Sequence, residues 1–148
     1  KGHPVYFDKG EDIALVATKP LDMVKPTKLN VRTPYPPVGE ELTYSGYPGR
    51  HDLLTIRGEV VGYQKIWDDR EKVVVHTYGW PGASGSCFFD KRGRMVGVLV
   101  AIPVGRGYVP QLLESMVFAT PIKVLDLDKL DKNICSLQKD IRPRFCGK

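Results

Sequence analysis

The chain has 148 residues, 42% apolar and 26% charged, with 22 Lys and Arg against 17 Asp and Glu for a net charge of +5. This length favours one domain with enough chain to bury a core, and the composition is that of a globular protein. No apolar run approaches the ~20 residues of a membrane-spanning helix, no secretory signal pattern opens the chain, and the basic residues are scattered, so a membrane role is set aside and a nucleic-acid role is disfavoured.

Short strands dominate the chain. Val5 to Phe7, a Lys9-Gly10 turn and Asp12 to Ala17 predict a hairpin. Pro20, Pro26, Pro34, Pro36 and Pro37 then make an extended connection rather than a helix. Glu41 to Tyr44, a turn at Gly46-Tyr47-Pro48-Gly49 and Thr55 to Tyr63 follow, and after them Lys72 to Thr77. Beyond the stretch GWPGASGS come Cys87 to Phe89, a Lys91-Arg92-Gly93 turn and Met95 to Ile102. A loop from Pro103 to Pro110 leads to a last strand near Met116 to Thr120. Leu127, Leu130, Ile134 and Leu137 share one helical face and predict a helix over 124–138. The expected fold is all-β, a barrel or sandwich with a C-terminal helix. Three cysteines are too few for a disulfide framework. Cys135 and Cys146 could pair in an oxidising compartment, but reduced thiols and a reducing compartment are the expectation.

Pro81-Gly82-Ala83-Ser84-Gly85-Ser86 admits two readings. Gly and Ser are ordinary turn formers. The same pattern can also hold a nucleophile, because glycine tolerates the angles that turn successive amides into one hollow. A serine hydroxyl attacks only when a base takes its proton, and that base is usually a histidine oriented by a buried carboxylate.

The companions of this stretch carry a resemblance. Asp8-Lys9-Gly10-Glu11-Asp12-Ile13-Ala14-Leu15 resembles the aspartate segment of trypsin-like serine proteases. Pro81 to Ser86 resembles their nucleophile loop, closest to HtrA-like bacterial and viral members. Pro37 to Glu41, Gly46 to Gly49 and Gly58 to Gly62 resemble the opening of the second barrel, and Arg94 to Leu99 and Phe118 to Ile122 two later strands. The matches run in order from residue 4 to residue 125.

This resemblance implies a chymotrypsin-like double antiparallel β-barrel with its first barrel incomplete. Residues 1–18 would be the last strands of the first barrel, 19–38 the inter-barrel connector, 39–122 the second barrel and 123–148 the helix and basic tail. It implies a serine endopeptidase, viral or bacterial, acting on a protein or peptide substrate without cofactor or metal. Ser84 would be the nucleophile, Asp12 the orienting carboxylate, and the amides of Gly82 and Ser84 the oxyanion hole. Val100, Ala101 and Ile102 would flank the primary pocket, with Met116 near its base and His76 on a wall. Glu114 is the one carboxylate close by in sequence, so a medium apolar or polar side chain is expected there rather than Lys or Arg. Ala83 departs from the commoner Asp or Asn, and Cys87 stands where Pro is frequent and reads as a buried filler.

The base has no place among the three histidines. His3 falls opposite Val16 or Ala17, about 13–17 Å along the strands from Asp12, beyond hydrogen-bond reach. His51 reads as a solvated turn residue, and His76 precedes Ser84 in the strand leading to the loop. The base is therefore expected on an upstream segment of the same protein, an expectation in keeping with a first residue, Lys1, that is not Met. The alternative is a catalytically inactive protease-like module that binds protein. A basic nucleic-acid-binding domain comes third, for want of interleaved aromatic and basic residues.

Overall fold

A side-chain bond shapes the first hairpin. Asp8 Oδ1 accepts the Glu11 amide at 3.0 Å, the local carboxylate-to-backbone bond that favours turns. Asp12 then takes φ 54°, so the second strand begins at Ile13, one residue later than expected. β1 (Gly2–Asp8) and β2 (Ile13–Thr18) pair antiparallel with His3 opposite Ala17, as the sequence predicts. The structure is a computed structural model, which describes residues 2–20, 22–23, 25, 27–66, 69–105, 111–113 and 115–137.

Two compact units make up the chain: Lys1–Lys28 with Leu125–Lys148, and Leu29–Val124. In the first, α1 (Leu127–Cys135) lies against β1, with Asn133 Nδ2 donating to the Val5 carbonyl at 2.7 Å. The helix is shorter than its apolar pattern suggests. Asp126 caps it by accepting the Lys129 amide at 2.9 Å, and residues 122–124 wind into a separate 3₁₀ turn. Leu127 is exposed while Leu130 and Ile134 are half-buried. Cys135 is disulfide-bonded, which corrects the expectation of reduced thiols; Cys146 lies outside the described residues.

The second unit is a closed barrel. Its strands are β3 (Glu41–Gly46), β4 (Leu54–Ile66), β5 (Arg70–His76), β6 (Cys87–Phe89), β7 (Met95–Ala101) and β10 (Met116–Pro121), in the order β10-β5-β4-β3-β6-β7. A small pair of strands, β8 (Val104–Gly105) inside the expected loop and β9 (Gln111–Leu112) just past its end, follows β7. Leu42, Tyr44, Val60, Val75, Phe88 and Leu99 fill the interior, one face of each strand pointing inward. The end of the Pro-rich connector runs beside β7, where Met95 N donates to Asn30 O and Arg32 N to Met95 O, both at 2.8 Å.

Asp90 locks the turn between β6 and β7. Its side chain, 2% exposed, accepts the amides of Arg92 and Arg94 and the Arg94 Nε at 2.8–2.9 Å, with Arg32 Nη1 at 3.5 Å. Burial alone would raise its pKa. The hydrogen bonds from Arg94 and Arg92 outweigh burial and hold it below the usual carboxylate range. A carboxylate depressed in the fold adds stability above its unfolded pKa, and loses it as pH falls through the folded value. Asp90→Asn is expected to cost about 2–3 kcal/mol, since it leaves the arginines facing an amide. Urea midpoints at pH 7 and pH 3 check this: the deficit should shrink at the lower pH.

Candidate active site

Two turns, end to end, present Ser84. Ala83 N donates to Trp80 O at 3.0 Å and Ser86 N to Ala83 O at 3.1 Å. The third residue of each turn is a glycine with positive φ, Gly82 at 100° and Gly85 at 87°. Pro81 and Gly82 at the centre of the first turn are the residues a type II turn selects. Gly85 N donates to Leu99 O at 2.8 Å and Leu99 N to Ser86 O at 2.9 Å, which ties the second turn to β7.

These bonds consume three of the five amides from Gly82 to Ser86. Ala83, Gly85 and Ser86 all donate to carbonyls, whereas the amides of Gly82 and Ser84 have no acceptor among the described residues. Ala83 is fully buried and its methyl joins the barrel core, while Ser84 beside it is exposed. Core anchoring at one residue thus fixes the outward placement of the next. An Asp or Asn at 83 would bring a polar group into that apolar contact and need a partner there. Ser84 Oγ makes no hydrogen bond to any described residue.

A second loop props the first. Gly49 N donates to Pro81 O at 2.8 Å. A Cβ on Gly82 would lie 2.7 Å from Tyr47 O, and one on Gly46 would collide with Ser86 Oγ. The Trp80 ring covers Gly49 and tilts over His51, with ring centroids 5.5 Å apart. His51 is exposed, as expected for a turn residue, but it is stacked rather than simply solvated. Tyr44, buried within the barrel, donates its hydroxyl to Tyr78 O at 2.7 Å; burial raises its pKa and keeps it a donor.

The other sequence-predicted residues lie on neighbouring strands. Val100 and Ala101 are on β7 with Ile102 just beyond, all half-buried. Ile102 and Val117 abut Gly79, where a Cβ would collide with Val117. His76 ends β5 opposite Met116 of β10 and opens on a cavity of about 410 Å³ shared with Glu41, Arg57, Glu59 and Tyr78. No residue of the Ser84 turns lines that cavity. Glu114 lies outside the described residues. Asp12 is exposed in the β1–β2 turn of the other unit and has no side-chain partner among the described residues. Cys87 is a half-buried free thiol whose pKa burial pushes up, the reverse of what an attacking thiolate needs. Among the described residues no three His, Cys, Asp or Glu gather as a metal site.

A model of the trypsin-like peptidase domain matches residues 1–98. The chain belongs to that family. Solved structures agree in fold. Rv3671c of M. tuberculosis in an inactive form shares 17% identity at a TM-score of 0.65, over 93% of this chain and 67% of that one. Its active form gives 17% and 0.66, over 82% and 54%. The HtrA-type protease AlgW with a decapeptide gives 18% and 0.67, over 89% of this chain and 39% of that one. This chain therefore spans about two thirds of the first of these structures and less of the others. No curated protein sequence matches it. The peptidase domain accordingly has the chymotrypsin-like double-barrel fold, with, among the described residues, one closed barrel, two two-stranded sheets and a C-terminal helix. What its sequence did not disclose is the prop beneath the loop: Ala83 in the core, Tyr47 and Gly49 behind Gly82, and Tyr44 under Tyr78. The glycines at 46, 49 and 82 are the one signal that two backbones approach closely there.

Proposed function

We propose that this domain is the Ser84-bearing part of a serine endopeptidase. One observation carries the reading: in the turns around Ser84, the two amides left without acceptors among the described residues are those of Gly82 and Ser84. Ser84 Oγ attacks the carbonyl carbon of the scissile peptide while a histidine takes its proton. The negative charge passes to the carbonyl oxygen, which the amides of Gly82 and Ser84 receive, each such donor being worth about 10²–10³ in rate. The C–N bond then breaks, the amine leaves with the histidine's proton, and water releases the acyl group from Ser84.

The histidine comes from an upstream segment of the same protein, and Asp12 orients it. Two features support this. Asp12 is exposed and uncommitted, since Asp8 does the capping in its turn. Among the described residues the β1–β2 sheet has two strands, and Phe7 and Val16 stand exposed on it. Two strands alone are marginal, and further strands laid along them would cover those residues. Val100, Ala101, Ile102 and Met116 are the candidate substrate contacts, with His76 on the far side of β10, and the substrate is a protein or peptide. The likeness to Rv3671c favours a bacterial rather than a viral setting.

A second reading, a protease-like module that only binds, draws on the missing base: Ser84 Oγ has no hydrogen-bonded partner among the described residues. Labelling of the full-length gene product with a fluorophosphonate, read by intact mass and peptide mapping, separates the two. The catalytic reading expects one adduct on Ser84 that is lost in Ser84→Ala. A folded full-length protein that takes no label would establish the binding module instead.

A further inference from the structure

We propose that Tyr78 and Trp80, backed by His51, form a stacking platform that selects an aromatic side chain of the peptide substrate close to the scissile bond. This rests on the reading of Ser84 as the nucleophile.

The segment leading to the nucleophile turns alternates between inward and outward residues. Thr77 is buried and its hydroxyl donates to Arg57 O at 3.0 Å. Gly79 is buried against Val117 and Ile102, in a space that admits no side chain. Tyr78 and Trp80 therefore share the outward face, as alternate residues of an extended segment must. The backbone between them is held on both sides, by the Tyr44 hydroxyl on Tyr78 O and by the turn from Trp80 O to Ala83 N. The two rings meet edge to face with centroids 6.1 Å apart at 60°, and His51 lies against Trp80 at 5.5 Å and 32°.

Tyr78 is nonetheless 63% exposed. A large ring on an anchored backbone, its neighbours packed and its own face in water, is poor use of apolar area for folding. It offers a rigid, pre-ordered surface to a ligand. The occupant follows from position. Trp80 opens the turn that ends at Ala83, so its Cα lies within about 7 Å of that of Ala83 and about 11 Å of Ser84. An extended substrate advances ~3.3 Å per residue, which puts the selected side chain within about three residues of the bond that Ser84 attacks. Aromatic rings pair offset or edge to face, so Phe, Tyr or Trp fits this surface and an aliphatic side chain gains less.

The test is digestion of a random-sequence peptide library by the full-length protein, with the new termini sequenced. Aromatic residues should be enriched about tenfold at one position within three residues of the cut, the selectivity one aromatic pair supplies. Tyr78→Ala and Trp80→Ala should each reduce that enrichment towards one, and Trp80→Phe should retain most of it. Tyr78, being exposed, gives the variant whose folding is least at risk. If Ser84 takes the fluorophosphonate and the library is cut without aromatic enrichment, this proposal falls alone. If a folded full-length protein neither labels nor cuts, the nucleophile reading falls and takes the platform with it.

Discussion

Ser84→Ala in the full-length protein should lower kcat by a factor on the order of 10⁴–10⁶ while leaving the thermal midpoint within about 2 °C of the parent. Both halves come from the same geometry. The Ser84 side chain is exposed and bonded to no described residue, so its removal breaks no contact on which the loop depends. The turn bonds around it run through the backbone of Ala83, Gly85 and Ser86, and alanine preserves them. Only the oxygen proposed to attack is lost. The residual rate, ~10³–10⁴ above water in the serine proteases where it is known, comes from substrate binding and the oxyanion amides. Steady-state hydrolysis of a cleavable peptide and a calorimetric scan are sufficient to check it. Equal activity in parent and variant would remove Ser84 from the chemistry. A large fall in the midpoint would mean instead that the side chain supports the loop.

The parts of this molecule that local chemistry dictates could be read in advance. Gly93 and the Gly46-to-Gly49 turn punctuate the strands, and Pro81-Gly82 and Ser84-Gly85 demand turns with positive φ at their glycines. Hence the succession of strands along the chain, the glycine turns on either side of Ser84 and the pairing of His3 with Ala17 were accessible. What escaped depends on residues distant in sequence. Ala83 reads only as a departure from the commoner Asp or Asn until its methyl is found in the same buried cluster as Leu42, Phe88 and Leu99. His51 looks solvated until Trp80 arrives from another loop. Asp8 and Asp12 compete for one turn, and only the fold reveals that Asp8 bonds the Glu11 amide and leaves Asp12 outside. Cysteine number says nothing of which thiol is oxidised, and so does not foretell the disulfide at Cys135. His3 presents a different case: its separation from Asp12 along the hairpin followed from strand arithmetic, and its pairing with Ala17 agrees.

Gly82→Ala should reduce kcat by about 10²–10³, the effect of losing one oxyanion donor, with KM little changed and stability lower by about 2 kcal/mol. Two separate penalties act at this position. Gly82 has φ 100°, a conformation a side chain strains, and a Cβ there would lie 2.7 Å from the carbonyl oxygen of Tyr47. That oxygen belongs to the backbone of the propping loop, which Gly49 N fastens to Pro81 O at 2.8 Å, so it cannot swing aside as a side chain would. The relief available is movement of the 81–82 peptide, which carries the Gly82 amide away from its place beside that of Ser84. Gly85→Ala is the control. Gly85 has φ 87° and thus incurs the strain, but a Cβ there meets nothing within 4 Å, and its amide is already spent on Leu99 O. It should cost about 1 kcal/mol of stability and less than about tenfold in kcat, a margin set by the geometric tolerance of the neighbouring serine. The comparison isolates the amide from the backbone strain. If both variants lose kcat to the same extent, strain in the loop accounts for the loss and Gly82 does not hold an oxyanion. If Gly82→Ala alone loses it while both destabilise, the amide at 82 acts on the charge that forms during attack.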